Sequence, residues 1–571
     1  MKKSKLDNRL LIVCLILSAF GLTIVGRLFF LQVVSRSYYE TLAERQHISS
    51  LDAGLRRGNI EMLDKNGGLF RVAAIKNGYL LYADPRKIDN AQMIYEELAK
   101  ILPDMDREDF LKKAEKKDDP YEILKHKMDY DTAQKILSRG LPGIGVSPEE
   151  WRFYPAHELA SHVLGFVGYK DDKIVGRYGI EYSQEDLLKG SENYLQGRRT
   201  LAGTFLDWGK KILPGVKSSA GVVLTVEPQV QLFLEKIMDQ AYEKWKAELA
   251  GAVIMDPQTG RILAMAARPA FDPNFYNEVN SLKVFVNPVI EHIYELGSVF
   301  KPLTMAAAID LGKISPETTY FDAGFLVING KRIENYDGKG RGTVDMQHVL
   351  NESLNTGAVF AMRQIGPAAL NDYFIRYGLS RKTGVELPGE VEGNLANLNS
   401  GREIEFATAA FGQGIAVTPL EFLRAVSVLA NGGKLVKPFI IDRIIFDGAP
   451  DEKVEPQITE GIIKPETSEE ITRMLVRVVD EALVGGVLKN ARYSIAAKTG
   501  TAQMPNKSGP GYSDNYLHSF FGYAPAYDAK FAILMFLVSP SGARYASQTL
   551  SDPFMEMTEF LLNYYNVSPD R

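Results

Sequence analysis

The sequence predicts an α+β fold: an antiparallel sheet with helices from residue 221 to 571, preceded by a mixed segment at 35–220 and one apolar helix at 10–34. Three observations carry this expectation. β-rich runs open and close the last 350 or so residues, helical sequence lies between them, and a long uncharged run stands near the N-terminus. At roughly 100–200 residues per domain, 571 residues suggest about three to five domain-sized units. A composition of 45% hydrophobic and 24% charged residues excludes a disordered, collagenous or low-complexity chain. The net charge of −5 gives no basic excess to suggest a nucleic-acid partner. The single cysteine, Cys14, excludes a disulfide framework and a cysteine-ligated metal site.

Taken in order, the first element is the run LLIVCLILSAFGLTIVG from Leu10 to Gly26, without a charge. As a helix it spans roughly 26 Å, and continuation past Arg27 through Val34 completes a crossing of about 30 Å. Lys2, Lys3, Lys5 and Arg9 precede it, so residues 1–9 are expected to stay in the cytoplasm. Ala19-Phe20-Gly21 is a weak cleavage site, but the apolar character continues well past it, so an uncleaved anchor is expected.

Residues 35–45 read as a polar continuation of that helix. The segment to 220 then mixes strand-like NGYLLYADP with charged helical stretches, YEELAKIL and DFLKKAEKKDD. The charges of the latter suit a solvated helix face. From Gly221, GVVLTV and GAVIMDPQTGRILAMAA are strands, with DPQTG as a hairpin turn. A helical middle is expected at about 286–379 and again at 406–431. Strands return in YSIAAKTGTAQ and KFAILMFLVSP, and the last long helix is expected at Pro553 to Asn563.

Chemistry gathers in the second half. Ser298-Val299-Phe300-Lys301 stands before an apolar helical run, which puts Ser298 and Lys301 one turn apart on one face. Gly297 sets the serine near the helix N-terminus, where backbone N–H groups are free and negative charge is favoured. A serine hydroxyl is a weak nucleophile until a base takes its proton, and a neutral amine one turn away can do so. Ser353-Leu354-Asn355 occupies a polar kink in helical sequence, about 55 residues on. Lys498-Thr499-Gly500-Thr501 lies in a strand about 145 residues further. S-x-x-K alone is weak; the three motifs in this order are specific to penicillin-binding proteins and class A β-lactamases.

Near-matches lack that order or context. Lys382-Thr383-Gly384 sits in a charged Pro/Gly loop. Ser191-Glu192-Asn193 precedes the nucleophile, and Ser513-Asp514-Asn515 follows the lysine strand. His157-Glu158-Leu159-Ala160-Ser161-His162 has one residue too many for a zinc-protease H-E-x-x-H. Gly338-Lys339-Gly340-Arg341-Gly342 lacks the G-K-[ST] of a phosphate loop.

With these residues in hand, the sequence resembles the class B penicillin-binding proteins, monofunctional peptidoglycan transpeptidases, over almost its whole length. Beyond the three motifs the likeness includes Arg57-Gly58-Asn59-Ile60 with Asp64-Lys65-Asn66-Gly67, Arg152-Phe153-Tyr154-Pro155 and Gly179-Ile180-Glu181. It continues in Leu224-Thr225-Val226, Asp256-Pro257, Phe411-Gly412-Gln413-Gly414 with Thr418-Pro419, and His518-Ser519-Phe520. Two departures stand out: Leu296 replaces the family's usual proline, and the gap from Arg57-Gly58 to Asp64 is about two residues longer.

The resemblance implies an anchor at 10–34, a pedestal or dimerisation-like domain at 35–220 and a transpeptidase domain at 221–571. It implies that Ser298 is acylated by the D-Ala–D-Ala carbonyl of a donor stem peptide and that an acceptor amine then takes the acyl group. Lys301 is then the base and Ser353 a proton relay. Asn355 binds the donor backbone, and Lys498, Thr499 and Thr501 hold the substrate carboxylate. The N–H groups of Ser298 and Thr501, beside Gly500, form the oxyanion hole. β-Lactams should acylate Ser298; no metal or organic cofactor is expected. A multi-spanning membrane glycosyltransferase is the implied partner, and the bacterial cell membrane the implied location. The same constellation also serves a D,D-carboxypeptidase, a β-lactamase or a β-lactam sensor, and a catalytically silent scaffold is a further alternative.

Overall fold

The computed structural model describes residues 18, 20–24, 57–170, 173–190, 219–446, 449–506, 509 and 511–571. The apolar run at 10–34, the continuation at 35–45 and Ser191-Glu192-Asn193 therefore lie wholly or almost wholly outside the described residues. Among the described residues no helix is long and apolar enough to cross a membrane. The described chain forms two compact units, one of residues 75–151 and one of residues 57–74 with 152–571.

Strands β1 (Ile60–Leu63) and β2 (Leu69–Ala83) come first. Asp64 closes the turn between them, its Oδ1 accepting from the N–H groups of Asn66 and Gly68 at 2.8 and 2.7 Å. The residue 75–151 unit holds the end of β2, helices α1 (Ala91–Ala99) and α2 (Arg107–Ala114), β3 (Glu122–Met128), α3 (Tyr130–Leu137) and most of β4 (Ile144–Phe153). Each helix starts on a side-chain cap: Asn90 to Met93, Asp106 to Asp109, and Asp129 to Thr132. Leu81, Ile94, Leu98, Phe110 and Ile136 form its separate core.

In the larger unit, β5 (Gly221–Leu224) pairs parallel with β1, aligning Met62 with Leu224. Helix α4 (Pro228–Trp245) follows, with proline at its first turn, where the missing N–H costs nothing. Strands β6 (Leu249–Met255) and β7 (Ile262–Arg268) form the hairpin around DPQTG. After a turn at Gly297–Phe300 comes α5 (Lys301–Asp310).

Residues 319–345 correct the expected helical middle. They form β8 (Thr319–Asp322), β9 (Phe325–Ile328), β10 (Lys331–Glu334) and β11 (Gly342–Asp345), with β9–β10 nested inside β8–β11. The hairpin turn is Asn329-Gly330, with φ of 47° and 74°, a pair suited to the positive-φ positions of a tight β-turn.

Helix α6 (Asn355–Ile365) follows, then α7 (Pro419–Ala430), which opens on a reciprocal Thr418–Glu421 capping box. β12 (Ile441–Ile445) pairs antiparallel with β5. Next come α8 (Pro465–Arg477), β13 (Ala496–Pro505), β14 (Tyr512–Ala524), β15 (Phe531–Val538) and α9 (Ser551–Tyr564). The main sheet is antiparallel in the order β13-β14-β15-β6-β7, with β13 at an edge. Every residue of β15 is buried, as expected of a strand covered on both faces. Helix α4 packs against β7 and α9, α7 against β15, and α8 against β13 and α5.

Candidate active site

The groove is assembled where α5 begins, where α6 begins and along β13. Gly297–Phe300 is a 3₁₀ turn running into α5 at Lys301. In such a turn, side chains three apart eclipse one another. Lys301 Nζ accordingly lies 3.0 Å from Ser298 Oγ. Ser298 is the second residue of the turn, so its backbone N–H belongs to the set a helix start leaves without an intrahelical acceptor.

Ser353 occupies a turn between the helix Met346–Asn351 and α6, with a left-handed φ of 54°. That is an uncommon conformation for a residue with a Cβ and is typical of functional turns. Its Oγ lies 3.2 Å from Lys301 Nζ and 3.1 Å from Lys498 Nζ, so one hydroxyl bridges two lysines. Lys301 Nζ also donates to the Ser353 carbonyl. Asn355 donates from Nδ2 to Glu334 O at 2.7 Å, leaving its second amide hydrogen and Oδ1 for a ligand.

Lys301 and Lys498 are 0% and 2% exposed. Among the described residues neither has a carboxylate partner. Burial, reinforced by the neighbouring Lys498 charge, holds the Lys301 amine well below the usual lysine range. Burial alone lowers Lys498 to about 8.

Gly500 explains how β13 comes so close to the Gly297–Phe300 turn. A Cβ there would stand 2.5 Å from both Leu296 O and Ser519 Oγ. Ser519 clamps the two together, donating to Leu296 O at 2.9 Å. From the other side Gly297 N–H donates to Gly412 O at 3.1 Å, and a Cβ on Gly412 would meet Gly297 O at 2.3 Å. Thr501 Oγ1 accepts from Ala546 N at 3.0 Å, which leaves its hydroxyl hydrogen to donate outward.

The resulting groove has a volume of about 830 Å³, with Ser298, Ser353, Asn355, Lys498, Thr499 and Thr501 among its lining residues. A second groove of equal volume, lined in part by Glu227, Asp256, Arg261 and Tyr565, contains none of the motif residues. Sequence reasoning missed Ser519 and Gly412 as clamps, and Asp322. Buried Asp322 accepts from Asn335, Gly324, Arg341 and Thr356, tying the β8–β11 segment to the start of α6.

The near-matches go elsewhere. Thr383 and Gly384 wrap the carboxylate of Glu390 in a loop. His157 pairs with Asp272 at 2.7 Å, whereas His162 is buried against Val284 O at 2.9 Å. By contrast, Arg57, Arg152 and Glu181, quoted from three separate stretches, meet in one buried cluster. Glu181 accepts from Arg57 Nε at 2.5 Å, Arg152 Nε at 2.6 Å and Tyr154 OH at 3.2 Å.

Residues 250–558 match the family model of the penicillin binding protein transpeptidase domain, and residues 55–212 match that of the penicillin-binding protein dimerisation domain. The chain therefore belongs to the penicillin-binding protein transpeptidase family. Within it the chain is a class B penicillin-binding protein, a peptidoglycan D,D-transpeptidase. It is 32% identical to stage V sporulation protein D of Bacillus subtilis, over 96% of this chain and 84% of that protein. It is 28% identical to a probable peptidoglycan D,D-transpeptidase, PbpC, of Pseudomonas aeruginosa, over 100% and 97% of the two chains. Penicillin binding protein 3 of Mycobacterium tuberculosis, solved with aztreonam, shares the fold with a TM-score of 0.68 at 23% identity, covering 91% and 98% of the two chains.

Proposed function

We propose that the enzyme cross-links peptide stems through an ester on Ser298, with Lys301 as general base. The observation that carries this reading is the buried Lys301 amine 3.0 Å from Ser298 Oγ with no carboxylate partner among the described residues. In its neutral form it takes the Ser298 proton as Oγ attacks the D-Ala–D-Ala carbonyl. Ser353 Oγ, within reach of both lysines, passes a proton to the departing D-alanine amine. Charged Lys498 and the hydroxyls of Thr499 and Thr501 hold the terminal carboxylate. Asn355 aligns the donor backbone. The N–H groups of Ser298 and Thr501 receive the oxyanion, each worth about 10²–10³ in rate. The acceptor amine then attacks the ester carbonyl and releases Ser298.

β-Lactams present the same acyl target beside an anionic group, so they acylate Ser298 in this reading; the aztreonam and ampicillin complexes of one similarly folded protein support it. The charge-free run from Leu10 and the lysines before it support an N-terminal membrane anchor with the catalytic unit outside the cytoplasm. A multi-spanning glycosyltransferase is the proposed partner of the membrane-proximal region, on the family resemblance.

The test is labelling with fluorescent penicillin beside Ser298→Ala, with release followed over hours. Stable labelling of the wild type that the variant loses supports the acyl-serine transpeptidase. Rapid release points to a hydrolase, and no labelling of folded protein to a silent scaffold.

A further inference from the structure

The two substrates of a cross-linking reaction carry opposite charges where they enter. The donor stem ends in a carboxylate, which Lys498 suits. The acceptor presents an amine, which in water is an ammonium and needs a carboxylate on the groove wall. Two carboxylates line the groove among the described residues, Glu334 and Glu352. Glu334 is neutralised by Arg332, whose guanidinium also stacks over Phe325 at 3.8 Å.

Glu352 is different. One of its oxygens accepts from Arg341 Nη2 at 3.2 Å, but Arg341 is already held by both oxygens of Asp337 at 2.9 and 3.0 Å. Asp337, Arg341 and Glu352 together therefore carry one uncompensated negative charge. Glu352 is 39% exposed and immediately precedes Ser353, the residue that touches both lysines. The arrangement thus puts a net anion on the wall of a groove whose other charged lining residues are Lys331, the Arg332–Glu334 pair, Lys498 and Arg544.

We infer that Glu352 docks the ammonium of the acceptor stem and so selects an amine over water in the second half of the reaction. This rests on the transpeptidase reading above. The docked ammonium gives one proton to solvent. The amine attacks the ester carbonyl carbon, the new C–N bond forms and the bond to Ser298 Oγ breaks. The second amine proton passes to Lys301 and from there to Ser298 Oγ. Arg341 and Asp337 act as positioning residues that set the Glu352 side chain and its net charge.

The experiment supplies the full chain with a D-alanyl thioester donor and with Nα-acetyl-L-lysyl-D-alanyl-D-alanine as amine acceptor. Transfer and hydrolysis are measured against acceptor concentration and salt. In E352Q the acceptor KM is expected to rise about tenfold, with the transfer rate at saturation little changed. The ratio of transfer to hydrolysis at low acceptor falls by the same factor, and E352D recovers most of it. Added salt weakens acceptor binding in the wild type but not in E352Q, because screening acts on the charge the variant lacks. An unchanged acceptor KM in E352Q overturns the inference. So does a parallel loss of fluorescent-penicillin acylation, which would make Glu352 a support of the Ser353 turn. Failure of the wild type to acylate would instead sink the transpeptidase reading itself.

Discussion

Two groups among the cations that the larger unit buries are treated in opposite ways. Arg57 and Arg152 converge on Glu181, with Glu185 2.6 Å from Arg57, so each guanidinium has a counter-charge and directed hydrogen bonds. Among the described residues Lys301 and Lys498 share a neutral hydroxyl and no carboxylate. The first arrangement keeps both cations charged and fixes three distant stretches of backbone. The second makes the charged state costly, which is how an amine becomes a base near neutral pH. Burial alone is therefore not a mark of chemistry; the informative feature is two buried amines that meet at one hydroxyl beside a serine.

The largest expected effects come from exchanging those roles. Lys301→Met removes the proposed base while keeping an apolar stem, and acylation by fluorescent penicillin should fall about 10²–10⁴-fold with the fold retained. Glu181→Gln strips the arginine cluster of its central charge and should destabilise the chain by about 3–5 kcal/mol, read by urea unfolding. The acylation rate of the remaining folded enzyme should stay near that of the wild type. A variant that stayed stable would show the cluster to be dispensable.

The pH dependence sharpens the contrast. In the proposed mechanism Lys301 sheds its proton to act, so acylation is expected to rise as pH climbs through its lowered pKa. In the same mechanism Lys498 keeps its proton to hold a carboxylate, so acylation is expected to fall above about 8. Lys498→Arg, with a charge that does not titrate in this range, should abolish the alkaline limb. Stability follows the opposite sign from that of a paired lysine. A folded pKa below the unfolded one imposes its full penalty below about pH 8 and loses it as pH approaches the unfolded value. Lys498→Met should therefore gain about 1–3 kcal/mol at neutral pH while losing activity. The smallest effect is expected of Leu296→Pro, which restores the family's usual residue before Gly297; acylation should stay within about twofold. A larger loss would show that the 296–297 backbone needs a freedom proline denies.

Much of this site was legible because its chemistry is local in sequence. Ser298 and Lys301 are one turn apart, and Lys498 to Thr501 are consecutive on one strand. The main hairpin and the last helix were legible for the same reason. The β8–β11 segment was read as helix although Asn329-Gly330 between alternating residues announced a hairpin. There the short-range signal existed and was outweighed by the helical sequence on either side. Gly412 and Ser519 stood out only through the family likeness, and their clamping contacts were not legible. Ser519 meets Leu296 and Gly412 meets Gly297 across more than a hundred residues, and only the folded backbone brings them together. The parallel pairing of β1 with β5 is hidden for the same reason.

Gly500 carries a consequence for the enzyme's history under antibiotics. With a backbone carbonyl on one side and the Ser519 hydroxyl on the other, position 500 has no room for even a methyl group. A lineage exposed to β-lactams thus has no neutral step to take there. The groove's rim is freer: Tyr336, Arg332 and Arg544 face solvent and can change without closing the gap between β13 and the Gly297–Phe300 turn.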